Sequence, residues 1–307
     1  MTKVLIATEK PFASEAVEGI KNILLNAGFE VELLEKYTEK QQLLDAVKDV
    51  HAIIIRSDKI DKEVLDAAKE LKLVVRAGAG YDNVDCEEAT KKGICVMNTP
   101  GQNSNAVAEL VFGMLVFALR NRFNGKSGRE LKDKKIGILA FGNVGRNVAR
   151  VAKGFGMTVA AYDAFLSAEQ ITEFGAEPIA DIKDLFKNCD VISLHAPATA
   201  ETIKSIGYDL VLSMPKNGVI VNTARKEIID EEGILKALKE REDLTYLTDI
   251  KPDNDAEMSE ALGDRYFTTP KKMGAQTGEA NVNAGLAAAE QIVGFIKEGI
   301  EKFRVNK

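Results

Sequence analysis

Small residues crowd the turn Ala140-Phe141-Gly142-Asn143-Val144-Gly145. It joins an apolar run at 135–139 to helically spaced apolar residues between Arg146 and Lys153. Where side chains are missing, backbone N–H groups can approach a pyrophosphate, and the helix N-terminus adds positive potential there. The full G-x-G-x-x-G spacing is not met, because Ala140 replaces the first glycine while Gly142 and Gly145 are in place. A methyl group fits at that first position where φ is negative. Asp163 closes a second apolar run, about 20 residues past the turn, where a carboxylate can accept both hydroxyls of an adenosine ribose. The following Ala164, Phe165 and Leu166 offer no cation for a 2′-phosphate, which the carboxylate would also repel. The pattern predicts NAD rather than NADP. A bare strand-to-helix turn with no ligand is the alternative, and Asp163 at this spacing weighs against it.

Two further stretches could hold anions. Arg76-Ala77-Gly78-Ala79-Gly80 has four small residues in a row, whose N–H groups can form a nest for a carboxylate. Arg56-Ser57-Asp58-Lys59 offers a guanidinium and an ammonium. Ordinary loop composition would give either stretch without a ligand.

These stretches need elements that bring them to one edge. Short apolar runs at 3–7, 30–34, 52–55, 72–75 and 94–97 alternate with amphipathic segments at 14–27, 39–48, 61–68 and 86–92. The rhythm resumes after Asp163, with strands ending at His195, at Thr223-Ala224-Arg225 and at Asp249, then a short one at 266–268 and a last helix at 281–297. Such alternation implies parallel sheets with helices on both faces, and ligands lie beyond the carboxyl ends of the strands. The fold class is α/β, with two doubly wound domains. Residues 98–105 read as a turn leading into a nearly all-apolar helix at 106–120, which suits burial between domains or subunits.

Bulk composition limits the function classes. With 307 residues, 45% hydrophobic and 29% charged, the chain suits about two globular domains. The net charge of −6 and the absence of a basic tract argue against nucleic acid. Cys86, Cys95 and Cys189 are few, odd in number and far apart, which fits a reducing compartment and no metal knuckle. No signal-peptide pattern opens the chain, and the longest apolar stretch is too short to span a bilayer. A cytoplasmic location with no membrane or metal partner is expected.

Taken in order, RAGAGYDNVD at 76–85, NTPGQN at 98–103, VAEL at 107–110, GILAFGNVG at 137–145, SLHAP at 193–197 and NTARKEIIDEEG at 222–233 resemble the D-2-hydroxyacid dehydrogenases. The resemblance covers nearly the whole chain. It implies a flavodoxin-like substrate domain formed by 1–98 and 280–307, and a Rossmann NAD domain at 99–279. It further implies that the cofactor and a hydroxy acid meet in a cleft that closes on hinges near 98–104 and 277–281. Residue by residue, Arg225 matches the substrate-orienting arginine. Asn143 and Val144 match pyrophosphate contacts, and Thr223 with Ala224 the strand-end cofactor contact. Asp249 matches the carboxylate for the nicotinamide carboxamide, Ala196 the adenosine side, and Gly274-Ala275 the family's glycine pair. Ala79, Gly80, Ser57 and Asn103 match the substrate turn and its surroundings, and Arg56 a phosphate contact.

The family's usual catalytic pair is a histidine with a glutamate. The stretch expected to carry the histidine reads TTPKKMGAQTGEA and has none, and alignment on Gly274-Ala275 places Lys272 there. Lys271 is the adjacent alternative. The glutamate's place falls on Asn254. A lysine lacking a carboxylate partner but close to Arg225 would have a lowered pKa, and could take the substrate's hydroxyl proton. Alternatively it stays charged and stabilises an alkoxide. His51 reads as structural and His195 as part of the adenosine side. Arg120, Arg122, Lys126 and Arg129 could supply further phosphate-binding charge.

The expected reaction is oxidation of 3-phospho-D-glycerate to 3-phosphohydroxypyruvate, the first step of serine synthesis, by a homodimer. No room remains for the serine-binding regulatory domain of longer forms, so feedback inhibition through one is not expected. The alternatives are a reductase for glyoxylate or hydroxypyruvate and, in another class, an NAD-sensing corepressor-like protein.

Overall fold

Short, nearly continuous apolar strands can be buried on both faces only if helices cover both faces. That is how each half of this chain folds. The computed structural model describes residues 1–306. The chain divides into two compact units, Met1–Asn103 with Gln276–Lys307, and Ser104–Ala275.

The first unit contains β1 (Lys3–Thr8), α1 (Ser14–Asn26), β2 (Glu30–Glu35), α2 (Lys40–Ala46), β3 (Ala52–Ile55), α3 (Lys62–Ala67), β4 (Leu73–Arg76), α4 (Cys86–Lys91) and β5 (Cys95–Asn98). The second contains α5 (Ser104–Leu119), β6 (Lys135–Leu139), α6 (Asn143–Gly154), β7 (Thr158–Tyr162), α7 (Ala168–Glu173), β8 (Glu177–Pro178), α8 (Ile182–Asn188), β9 (Val191–Leu194), α9 (Tyr208–Leu212), β10 (Val219–Asn222), α10 (Glu231–Glu240), β11 (Thr245–Thr248), α11 (Asp255–Leu262) and β12 (Tyr266–Thr268). The chain then returns to the first unit as α12 (Gly278–Glu298).

Both sheets are wholly parallel. The first runs β2-β1-β3-β4-β5 and the second β12-β11-β10-β9-β6-β7-β8. Strand order reverses at β1/β3 in one and at β6/β9 in the other, the switch points where such sheets bind ligands. Alternate side chains feed opposite cores, as the strand period requires. Ile138 and Val221 pack on one face of the second sheet, while Leu139, Ile192 and Ile220 pack on the other. In the first sheet Ile6, Ile54 and Val75 face one way, and Leu5, Ile53 and Val74 the other.

Register decides which residues share an edge. Leu139 pairs with Tyr162 and Leu194, Leu194 with Asn222, and Asn222 with Thr248. The next residue of each strand therefore lies at one level: Ala140, Asp163, His195, Thr223 and Asp249. In the first unit Ile55 pairs with Arg76 and Arg76 with Asn98, which puts Arg56, Ala77 and Thr99 at a common level. Among the described residues no helix is long and apolar enough to cross a membrane.

Candidate functional site

In the second unit the turn after β6 is held from both sides. Ala140 N–H donates to the Tyr162 carbonyl at 2.9 Å, and Phe141 N–H donates to Asp163 Oδ2 at 2.7 Å. The expected negative φ at Ala140 is not what the chain adopts: φ is +69°, in the left-handed region. The turn must reverse within few residues, and the alanine accepts the conformation that the missing glycine would take without steric cost. The two remaining glycines differ in purpose. A Cβ on Gly145 would lie 2.5 Å from the Ala140 carbonyl oxygen and 3.0 Å from Ile138 Cγ2, so this glycine lets α6 pack on β6. A Cβ on Gly142 would meet nothing within 4 Å. Its bareness serves no packing need, and it leaves open space over the N-terminus of α6.

Asp163 Oδ1 accepts the N–H groups of Phe165 (2.9 Å) and Leu166 (3.1 Å). The carboxylate is thus fixed at the strand end, with lone pairs left for hydroxyl donors. His195 is bonded through Nε2 to Ser193 Oγ at 2.8 Å, with Thr223 Oγ1 3.5 Å from Nδ1. Burial pushes its pKa down to about 3, so the ring is neutral at working pH. Ala196 beside it is buried.

The β10 end is shaped by Asn222, a fully buried residue that the sequence reading passed over. It accepts Ala224 N–H at 3.0 Å and donates to the Arg225 carbonyl at 3.0 Å, fixing the Thr223-Ala224-Arg225 turn. Arg225 Nη1 donates to the Ala224 carbonyl oxygen at 2.8 Å, and Lys272 Nζ donates to the same oxygen at 3.2 Å. Two cations 47 positions apart thus converge on one atom. Lys271 and Lys272 are both exposed, and the Lys271 backbone carbonyl lies 2.7 Å from Thr269 Oγ1.

Asp249 anchors the loop that carries the lysine. Its Oδ2 accepts Gly274 N–H at 2.7 Å and Met273 N–H at 3.3 Å, while its buried Oδ1 has no hydrogen-bond partner among the described residues. A Cβ on Gly274 would lie 2.9 Å from that Oδ2, so the residue must be glycine. Ala275 next to it is half-buried. Burial raises the Asp249 pKa, opposed by the Gly274 N–H and by the charge of Lys272. The expectation that this lysine stands apart from any carboxylate therefore changes: Asp249 is the carboxylate that feels its charge. Asn254, at the glutamate's expected place, instead opens α11. Its N–H donates to Glu231 Oε2 at 3.1 Å, tying α11 to α10.

In the first unit the two stretches expected to hold anions form one rim. Asp58, almost wholly buried, accepts Glu9 N–H (2.7 Å), Tyr37 O–H (2.8 Å) and Arg56 N–H (3.0 Å), which joins the ends of β1, β2 and β3. Asn83 Nδ2 reaches the Arg56 and Asp58 carbonyls at 3.2 and 2.6 Å. The Arg56 guanidinium is engaged: it donates to the Lys10 and Pro11 carbonyls at 3.2 and 2.9 Å and to Asn281 Oδ1 at 2.7 Å, and it lies over the Phe12 ring. Arg76, which opens the small-residue stretch, donates through Nε to the Arg56 carbonyl at 3.0 Å, and its terminal nitrogens occupy the space that a Cβ on Gly78 would need. Burial and the charge of Arg56 both lower its pKa. Ala79 and Gly80 follow at the surface, and Asn98 Nδ2 donates to the Ala79 carbonyl at 2.6 Å. Ser57 is exposed, and Asn103 is the last residue of the unit's first segment.

Two residues of the basic link face elsewhere. Arg122 donates to the carbonyl of Tyr266, the first residue of β12, and pairs with Asp264; Arg129 donates to the Asn217 carbonyl, before β10. Both lie at the amino edge of the second sheet, opposite the ligand edge of their own unit. His51 accepts Lys3 N–H at 3.1 Å, a structural role.

An open cradle at Gly142, an anchored ribose-height carboxylate and an orphaned buried oxygen on Asp249 fit NAD, and the fold is that of a two-unit, parallel-sheet dehydrogenase. Comparison with known proteins carries the assignment further. Residues 115–270 match the D-isomer specific 2-hydroxyacid dehydrogenase, NAD binding domain. The chain is 33% identical over 312 residues to the glyoxylate reductase of Thermococcus litoralis, covering 94% of this chain and 93% of that protein. It is 36% identical to the D-3-phosphoglycerate dehydrogenase of Methanocaldococcus jannaschii over its full length, but spans only 60% of that relative. The NAD+-bound 3-phosphoglycerate dehydrogenase structure from Entamoeba histolytica superposes with a TM-score of 0.86 at 49% identity, covering 100% of this chain and 99% of that one. The chain belongs to the D-2-hydroxyacid dehydrogenase family, and its cofactor is NAD.

Proposed function

We propose that the protein oxidises 3-phospho-D-glycerate to 3-phosphohydroxypyruvate with NAD. The observation that carries this reading is the convergence of Arg225 and Lys272 on the Ala224 carbonyl, at the sheet edge shared with Asp163 and Asp249. Gly142, Asn143, Val144 and Gly145 would hold the pyrophosphate, Asp163 the ribose, and Asp249 Oδ1 the carboxamide. Bound NAD supplies the hydride acceptor. Arg225 orients the substrate through its carboxylate and carbonyl oxygens, a task suited to a permanently charged fork. Lys272 Nζ takes the hydroxyl proton as the C2–H bond breaks, and gives it back in the reverse direction. Arg56 and Arg76 place two guanidinium groups on one rim of the first unit, which supports a phosphorylated substrate.

A second reading, a reductase for glyoxylate or hydroxypyruvate, draws on the Thermococcus relative and on the Arg56 guanidinium being already engaged by Lys10, Pro11 and Asn281. Rates on a panel of 2-hydroxy and 2-keto acids separate the two. Preference for 3-phospho-D-glycerate over D-glycerate supports the first, and the opposite preference refutes it. The proton role is tested by pH–rate profiles: wild type should lose rate on the acid side as Lys272 is protonated, and Lys272→Met should lack that limb. Identical profiles would remove the lysine as base.

A further inference from the structure

On the flank of α6 beside the cofactor turn, one concavity gathers positive charge. Arg146, Arg150 and Lys153 stand on one flank of α6 at four- and three-residue spacing. With Asn147 and Phe174 they line a groove of ≈ 570 Å³. Several cations of this acidic chain sit on carboxylates, as Lys40, Lys135 and Arg241 do. Among the described residues Arg146, Arg150 and Lys153 form no ion pair.

Neutral groups hold all three in place. Arg146 Nε donates to the Phe141 carbonyl at 3.1 Å, and its guanidinium lies 3.7 Å from the Phe174 ring centre. Arg150 Nη2 donates to Asn105 Oδ1 at 2.6 Å. Lys153 Nζ donates to the Phe174 carbonyl at 3.0 Å. Gly175, with φ of +71°, makes that approach feasible, because a Cβ there would fall on the lysine nitrogen. Three cations are therefore pre-positioned by neutral partners. An anion in the groove would supply a counter-charge.

We propose that this groove binds a small oligophosphate-bearing anion. The three residues span seven steps of helix, about 10 Å of backbone rise. That is too long for one phosphate and suits two or three linked ones. Two of the cations are arginines, whose planar forks match phosphate oxygens.

The test is calorimetric titration of tripolyphosphate, with inorganic phosphate alongside, into the protein with and without saturating NADH. One tripolyphosphate site per chain is expected in both states, with inorganic phosphate binding more weakly. Arg150→Gln and Lys153→Gln should each weaken binding about tenfold or more, as loss of a charge-assisted hydrogen bond does, with turnover at the wild-type level. Binding seen only without NADH would assign the anion to the cofactor turn and overturn the proposal. So would wild-type affinity in both variants, or no binding at all.

Discussion

Gly142 and Gly145 sit three residues apart in one motif, and the structure assigns them opposite reasons for being glycine. Replacing each by alanine separates the two. At Gly142 a methyl group meets nothing within 4 Å, and φ is −74° in extended backbone. The reduced freedom of the unfolded chain stabilises by about 0.4–1 kcal/mol. Alanine's poorer performance at a helix N-cap offsets a similar amount. Gly142→Ala should therefore melt within about a degree of wild type. The methyl group would stand where the pyrophosphate approaches, at the cost of one or two hydrogen bonds to a charged group. Each is worth about 1.5–3 kcal/mol, so NADH affinity should fall roughly 10- to 100-fold or more. At Gly145 the methyl group would lie 2.5 Å from a backbone oxygen that cannot yield. Overpacking costs about 1–3 kcal/mol, partly offset by about 1 kcal/mol of helix propensity. A net cost of up to about 2 kcal/mol should lower the melting of a unit of this size by up to about 8 °C. Thermal melting and NADH fluorescence titration read both variants. A Gly142→Ala protein that binds NADH as tightly as wild type, or one that melts several degrees lower, would refute the reasoning.

Two other outcomes follow from local backbone and burial. Ala140 pays for its φ of +69° with roughly 1–2 kcal/mol, so Ala140→Gly should stabilise by about 0.5–1 kcal/mol once glycine's extra unfolded entropy is counted; urea denaturation checks it. His195 has a folded-state pKa of about 3, below its ordinary 6.5, so the unfolded chain takes up a proton that the folded one refuses. Its contribution is fully present above about pH 6.5 and is lost as pH falls toward 3, at about 1.4 kcal/mol per pH unit. His195→Gln should flatten the dependence of unfolding free energy on pH by about one proton in that window, and an unchanged slope would contradict the assignment.

Much of the strand-end geometry was legible because its spacing is itself physical. A turn with two glycines and an acidic residue one strand later leaves few other arrangements, and the alternation of apolar runs dictates parallel sheets. What stayed hidden depends on tertiary contact. The φ of Ala140 could have been suspected from the glycine that usually stands there. Asn222 and Arg76 end strands like many polar residues do. Only the fold shows that one clamps the Arg225 turn and the other fills the space above Gly78. Counting along the chain from Arg225 to Asn254 located a position but not a partner, because Asp249, the residue directly after β11, is what meets the lysine loop. The two-residue strand Glu177–Pro178 is too short to leave a periodic trace.

The central claim is that an amine, at position 272, handles the substrate's hydroxyl proton beside Arg225. A crystal structure with NAD and 3-phospho-D-glycerate bound measures it directly. The account predicts Lys272 Nζ within about 3 Å of the C2 hydroxyl oxygen, with Arg225 on the carboxylate. Lys271 in that place, or a hydroxyl met only by water while Lys272 points to solvent, would contradict it.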